Sequence, residues 1–220
     1  EGANTSPELV KRIIELCLKA GAAEVRVFDN TCNHWQACYG NSGIETAVKE
    51  AGGKMLMAHE ESYYTPVDVP AGKVLKKTAV HQAWLDSDVI INVPILKHHG
   101  GARMTAAMKN LMGVIFDRRY YHSNDLHQCI ADFTTIAKKP TLNVVDAYNV
   151  MMRNGPRGVS TDDLVNRKML LLSTDMVAID TAAAKILEVF PQEVAYIGKA
   201  AEHGTGSNAL DKLRIERLTM

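Results

Sequence analysis

The stretch that decides the fold is Asp88–Gly113, DVIINVPILKHHGGARMTAAMKNLMG. Its opening, DVIINV, is a short apolar run with no polar alternation, as in a strand covered on both faces of its sheet. Pro94 has no N–H to donate to a ladder, so regular pairing is expected to weaken there. Lys97, His98 and His99 follow, then Gly100 and Gly101, which allow a tight turn and a close approach of backbone to ligand. The spacing predicts a helix from about Ala102, with Met104, Ala107, Met108 and Leu111 on one face against the sheet and Gly113 as its stop. On that helix Thr105 and Lys109 share one flank, and Arg103 and Asn110 face the other. A strand, a cationic Gly-rich turn and a helix start together suit an anion. The ordinary alternative is a plain strand–turn–helix with solvated Lys and His.

The 220 residues suffice for one α/β domain, read here as 1–220. Lys+Arg and Asp+Glu both number 25, so the net charge is zero, which argues against nucleic-acid binding by bulk electrostatics. No apolar run approaches the roughly 20 residues of a membrane span. No signal peptide is visible, but the chain begins with Glu1 rather than Met and reads as a fragment or processed form. The reading favours the cytoplasm, with export open if an N-terminal signal was removed. Cys17, Cys32, Cys38 and Cys129 form no C-x-x-C pair and no ferredoxin-type run, so no iron–sulfur cluster is expected in the chain itself. Cys32, His34 and Cys38 could share a metal or a disulfide, but a structural zinc site usually takes four ligands. Ordinary loop packing is the main reading there.

Along the chain, Ser6-Pro7-Glu8 begins a helix well. A strand at 25–29, a loop at 30–43, a helix at 43–51 and a strand from Lys54 follow. Residues 59–73, rich in Tyr and Pro, read as a lid or surface excursion. A short helix is expected at 77–85, another at 124–138, a strand at 141–146 and a turn cluster, NGPRG, at 154–158. Then come a buried strand at 168–173, a helix from Asp175 to Val189, one from Gln192 to Glu202, and a short strand near LRIE. This alternation implies an α/β fold: three layers, a mostly parallel sheet with helices on both faces. With the strands at 25–29, 88–93, 141–146 and 168–173 mutually parallel, four polar strand ends would gather on one edge. They are Asp29-Asn30, Lys97-His98-His99, Asp146 and Ser173-Thr174-Asp175. Ligands bind beyond the carboxyl ends of such strands.

The candidate site follows from that convergence. Lys97, Gly100, Gly101, Thr105, Lys109, Asn110 and Arg118 are expected to bind a small anion, a carboxylate or phosphate. Arg118, from RRYYH, can grip either one bidentately. His98, His122 and Asp146 are the candidate catalytic groups. His98 is preferred to His99, since neighbours on an extended segment cannot both point one way. Asp180 falls on the core side of its helix, as a metal ligand or as a buried carboxylate tied to backbone N–H groups. With His98 and Asp146 it makes the candidate set for a divalent metal.

NVPILKHHGGARMTAAMKNLMG, DRRYYH, the Asp of IADF, VVDAYNV, NGPRG and STDMVAIDTAAA resemble, in order, the motifs of the domain-of-unknown-function 362 family. TCNHWQACYGNSGI resembles one branch of it. Members are bacterial and archaeal, several fused to a ferredoxin-like module with two iron–sulfur clusters, some with twin-arginine export signals. The resemblance implies a redox-associated or cofactor-handling role and a ferredoxin-like partner or fused domain. By position its motif residues here are Lys97, His98, Lys109, Asn110, Arg118, His122, Asp132, Asp146, Gly155, Pro156, Asp175 and Asp180. Family members usually begin with a strand ending Lys-Pro-Asn ahead of the segment EGANTSPELV. That strand is expected to be missing here, and one wall of the site with it. Two functions compete: a cofactor-handling protein or enzyme with a small anionic ligand, and a non-catalytic module that docks an iron–sulfur protein through a face around Cys32–Tyr39.

Overall fold

The computed structural model describes residues 2–219; Glu1 and Met220 lie outside the described residues. The N-terminal portion runs α1 (Pro7–Lys19), β1 (Arg26–Val27), α2 (Trp35–Asn41), α3 (Ile44–Glu50) and β2 (Lys54–Met55). Pro7 sits in the first turn of α1, where its missing N–H costs nothing. Ser6 occupies the cap position, but its hydroxyl donates to Glu8 instead of capping. Val10 and Ile14 of α1 pack on Val48 of α3, and β1 pairs parallel with β2. The stretch 30–43, expected as a loop, holds α2. That helix is anchored by Tyr39, whose buried hydroxyl donates to the carbonyls of Asp29 and Leu56.

The lid-like stretch is tied down. β3 (Tyr64–Asp68) pairs antiparallel with β4 (Lys77–His81), and Val69 and Leu75 between them are buried. This corrects the helix expected at 77–85: α4 spans only Gln82–Asp86. Thr78 and Val80 are β-branched residues on a half-buried surface, where such side chains favour a strand.

The central sheet is built from β5 (Ile91–Asn92), β6 (Ile95–His99), β7 (Arg103–Thr105), β8 (Leu142–Met151) and β9 (Leu164–Ser173). β5 and β6 both run parallel to β8, and Pro94 interrupts them as anticipated. The Asp146 N–H nevertheless reaches the Pro94 carbonyl at 2.8 Å. β9 pairs along β8 from Asn143↔Ser173 to Met151↔Leu164, so β5 and β6 share the opposite edge of β8. β7 closes the far side of β6. The helices are α5 (Ala107–Asn110), α6 (Arg118–Ser123), α7 (Leu126–Phe133), α8 (Met176–Ile186) and α9 (Ala195–Glu202). α8 packs on β8 and β9, and Val145, Ala147 and Val150 share the main core with Val177, Ile179 and Ala183. The chain is α/β, as expected.

Two strand-level expectations are overturned. No helix begins near Ala102: residues 99–103 turn back as a hairpin, and α5 starts only at Ala107. Met104, Ala107, Met108 and Leu111 are all buried, but Met104 gets there on a strand, so the helical spacing was coincidental. The run at 168–173 is antiparallel, with Ser173 opposite Asn143 at the start of β8, whereas Lys97 lies opposite Met151 at its end. Asp146 is mid-strand in β8, and the strand expected at 25–29 belongs to the separate β1–β2 sheet, so the expected gathering of four strand ends on one edge does not form. The run at 168–173 is also exposed: Leu170 and Leu172 are open to solvent on the sheet's outermost strand. The helix at 124–138 shortens to Leu126–Phe133, the final helix begins at Ala195, and no strand forms near Leu213–Glu216.

Candidate functional site

The hairpin β6–β7 displays the cations. Alternation along β6 puts Lys97 and His99 on one face and His98 on the other. Lys97 pairs across the hairpin with Thr105, and His99 with Arg103. The His99 ring closes the turn, its Nδ1 accepting the N–H groups of Gly101 and Ala102, each at 3.1 Å. The His98 Nδ1 accepts the Gly155 N–H at 3.1 Å, which draws the NGPRG turn against the hairpin. Only glycine fits there, because a Cβ on Gly155 would come 1.8 Å from the His98 carbonyl oxygen. Gly100 donates back to the Gly155 carbonyl at 3.3 Å.

The loop after β1 supplies the opposite wall. Asn30 donates through its side chain to the carbonyls of Ile115 and Phe116, and its N–H donates to Gly113 at 2.8 Å. Arg118, at the start of α6, donates to the Thr31 carbonyl and points its other terminal nitrogen at Cys32 Sγ, 3.2 Å away. Asp29 is reached by solvent yet enclosed by protein on most sides. That enclosure raises its carboxyl above the usual range, while Arg118 and Lys97 pull it back down. Its carboxylate crowds Gly113, where a Cβ would meet Oδ1 at 2.0 Å.

The charges describe one cluster. Among the described residues, neither Lys97, Lys109 nor Arg118 forms an ion pair. Lys97 donates to the Ala3 carbonyl, and Lys109, 9% exposed, reaches only the Met112 thioether at 3.4 Å. Burial, together with the nearby charges of Lys97 and Arg118, lowers the Lys109 ammonium to about 8, with Cys32 opposing. Burial also lowers Lys97, against the opposing pull of Cys32 and Asp29. His99 is driven to about 3, first by burial and then by Lys109, His122 and Lys97. His122, on the exposed last turn of α6, is lowered by partial burial and then by Lys109 and Arg118.

Several expected site residues have other partners. Asp180 is the internal cap of α5: its two oxygens accept the N–H groups of Ala107 and Met108 at 2.7 and 3.1 Å. The helix start invoked for an anion is therefore already occupied by the chain's own carboxylate. Burial raises Asp180 to about 7, against those two N–H groups. Asp146 accepts the N–H of Ser6, ahead of α1, at 2.8 Å and that of Tyr148 at 3.1 Å. Asn110 donates to Asn92, and Asn92 donates to Asn143, forming a buried ladder that nothing local in sequence announces. Among the described residues no three His, Cys, Asp or Glu side chains are grouped to hold a metal, so His98, Asp146 and Asp180 are not brought together. Cys32 and Cys38 are free thiols. Asp29, expected as a polar strand end, and Cys32, expected only as loop packing, a metal or disulfide partner or part of a docking face, both lie beside Arg118.

Among curated proteins, the chain is similar to the thylakoid-associated protein sll1697 of Synechocystis sp. (strain ATCC 27184 / PCC 6803 / Kazusa), 24% identical over 212 residues. The match covers 93% of this chain and 63% of that protein's length. No solved structure matches. No helix among the described residues is long and apolar enough to cross a membrane. The family described as domain of unknown function DUF362 matches residues 1–185, through the whole cation cluster and most of α8, and the chain belongs to that family.

Proposed function

We propose that the chain binds a small phosphate- or carboxylate-bearing molecule between Lys97, Lys109 and Arg118, as the anionic end of a cofactor or substrate. The observation that carries this reading is Lys109, an ammonium nine-tenths buried whose sole acceptor among the described residues is a thioether. A buried charge without a strong partner costs several kcal/mol, and an anion lying across the three cations offsets that cost. His99 stays neutral and serves the turn. His122, on the rim, is the acid–base group with solvent access, and His98 positions the NGPRG turn. The docking alternative draws less support, because Tyr39, at one end of the face it needs, is buried and committed inside the chain.

The test is thermal unfolding with phosphate or citrate against chloride at matched ionic strength. The wild type should gain stability with anion concentration. Lys97→Ala and Arg118→Gln should each weaken the apparent affinity roughly ten- to a hundredfold, the effect of one charge-assisted contact of about 1.5–3 kcal/mol. Equal protection of the variants and the wild type overturns the reading.

A further inference from the structure

We infer that Cys32 is a nucleophile aimed at whatever anion the cluster holds, so that the chain can form a thioether with a small carboxylate bearing an electrophilic carbon. The inference rests on the anion-site reading above and adds a covalent function to it. Cys32 is exposed and free, whereas Cys17 and Cys38 are partly covered and Cys129 is buried. Its Sγ lies 3.2 Å from an Arg118 nitrogen, and the other end of that guanidinium is held by the Thr31 carbonyl, which fixes its direction. The backbone beside the thiol is pinned through Asn30 to Gly113, Ile115 and Phe116. Independently of the cysteine, Lys109 presents its buried ammonium with no oxygen acceptor.

An anion held by Arg118 lies beside the sulfur, and holding two reactants together raises their effective concentration. In the step, the thiol proton passes to solvent and the sulfur lone pair forms the S–C bond. The leaving group departs with the bonding electrons, so no oxidant or reductant is needed.

The probe pair is iodoacetate and iodoacetamide, which differ in charge and share one leaving group, iodide. Alkylation rates are followed at each cysteine by peptide mass spectrometry on the folded chain. The ratio of iodoacetate to iodoacetamide rates should be at least roughly tenfold higher at Cys32 than at Cys38 or Cys17, a factor worth about one charge-assisted contact. Phosphate should abolish that excess in the wild type. Lys109→Met should abolish it too, and Arg118→Gln provides the same test at a less buried position should Lys109→Met fail to fold. Equal ratios at Cys32 and Cys38 overturn the inference. If phosphate still stabilises the protein in that case, the anion site stands without its nucleophile; if it does not, both fall.

Discussion

The covered and half-covered acids of this protein are treated differently from the cations Lys97, Lys109 and Arg118. Asp132 is 0% exposed and accepts from Val74 and Leu75 N–H, from Gln128 and from His203, at 2.7–2.9 Å. Asp163 collects Val159 and Ser160 N–H together with Asn154 and Arg153. Asp175 caps α8 and holds the Ser207 N–H of the Gly-rich loop after α9. Asp146 and Asp180 hold helix starts. Asp132, Asp146, Asp175 and Asp180 each tie down a segment distant in the chain, and Asp163 closes its own local turn. Among the described residues Lys97, Lys109 and Arg118 reach only carbonyls and sulfurs. The carboxylates hold the chain's own N–H groups, and the contrast with these cations is what the proposed anion site draws on.

Substitutions can break that contrast. The largest expected effect is Asp132→Ala, which strands several buried donors and should destabilise by about 3–5 kcal/mol in urea unfolding. A loss below about 1 kcal/mol would place Asp132 outside the structural class. Next is Lys109→Met. Burial holds the lysine's folded value near 8, below its ordinary 10.5, so the folded state binds fewer protons above pH 8 and wild-type stability should rise from about pH 8 to 10.5. At pH 7 the charged form carries the whole penalty, about 3 kcal/mol as an upper limit. Lys109→Met should therefore stabilise the unliganded protein by up to that amount while removing phosphate protection. A destabilised variant would assign Lys109 a structural role.

Asp180→Asn is smaller. A carboxyl raised to about 7 keeps its proton in the folded state after the unfolded chain has lost it. Its contribution to stability therefore falls as pH rises from about 4 to 7. The difference in unfolding free energy between wild type and Asp180→Asn should slope across that window, with a cost of about 1–2 kcal/mol at its acid end from the altered α5 cap. A flat difference would show that the two backbone N–H groups outweigh burial. The smallest is Glu193→Gln. The Arg103–Glu193 pair is exposed on both sides, so the change should stay within about 1 kcal/mol and shrink further in salt.

What the sequence disclosed divides along the same line. Lys97, beside a Gly-rich turn, Lys109, on the segment after it, and Arg118, in RRYYH, stand in local patterns, and those patterns are what the proposed anion site draws on. Of the two expectations for Asp180, the buried carboxylate tied to backbone N–H groups is the one found, but which N–H groups could not be read, because the Asp180–Ala107 bond spans 73 positions. The direction of β9 follows from where the strands end. Parallel neighbours need a crossover of a dozen or more residues, usually a helix; the expected strands at 141–146 and 168–173 leave room for one, but β8 runs on to Met151 and β9 starts at Leu164, so the connection holds only the NGPRG turn and one short helical turn. The hairpin at 99–103 was hidden by Met104, whose place in the helical spacing matched its burial by accident.

The exposed outer strand has a consequence for solubility. β9 carries Leu170 and Leu172 toward solvent on a strand with one free edge, an arrangement that invites strands of other molecules to add on. Midway along it Lys168 adopts φ +52°, and the ladder with β8 shifts register opposite, between Ala147 and Asn149. The kink breaks the row of edge donors and acceptors in two, and the lysine sets a positive charge at the break. A second copy arriving edge-on meets a bent, charged template, so this residue guards the fold against fibre-like stacking.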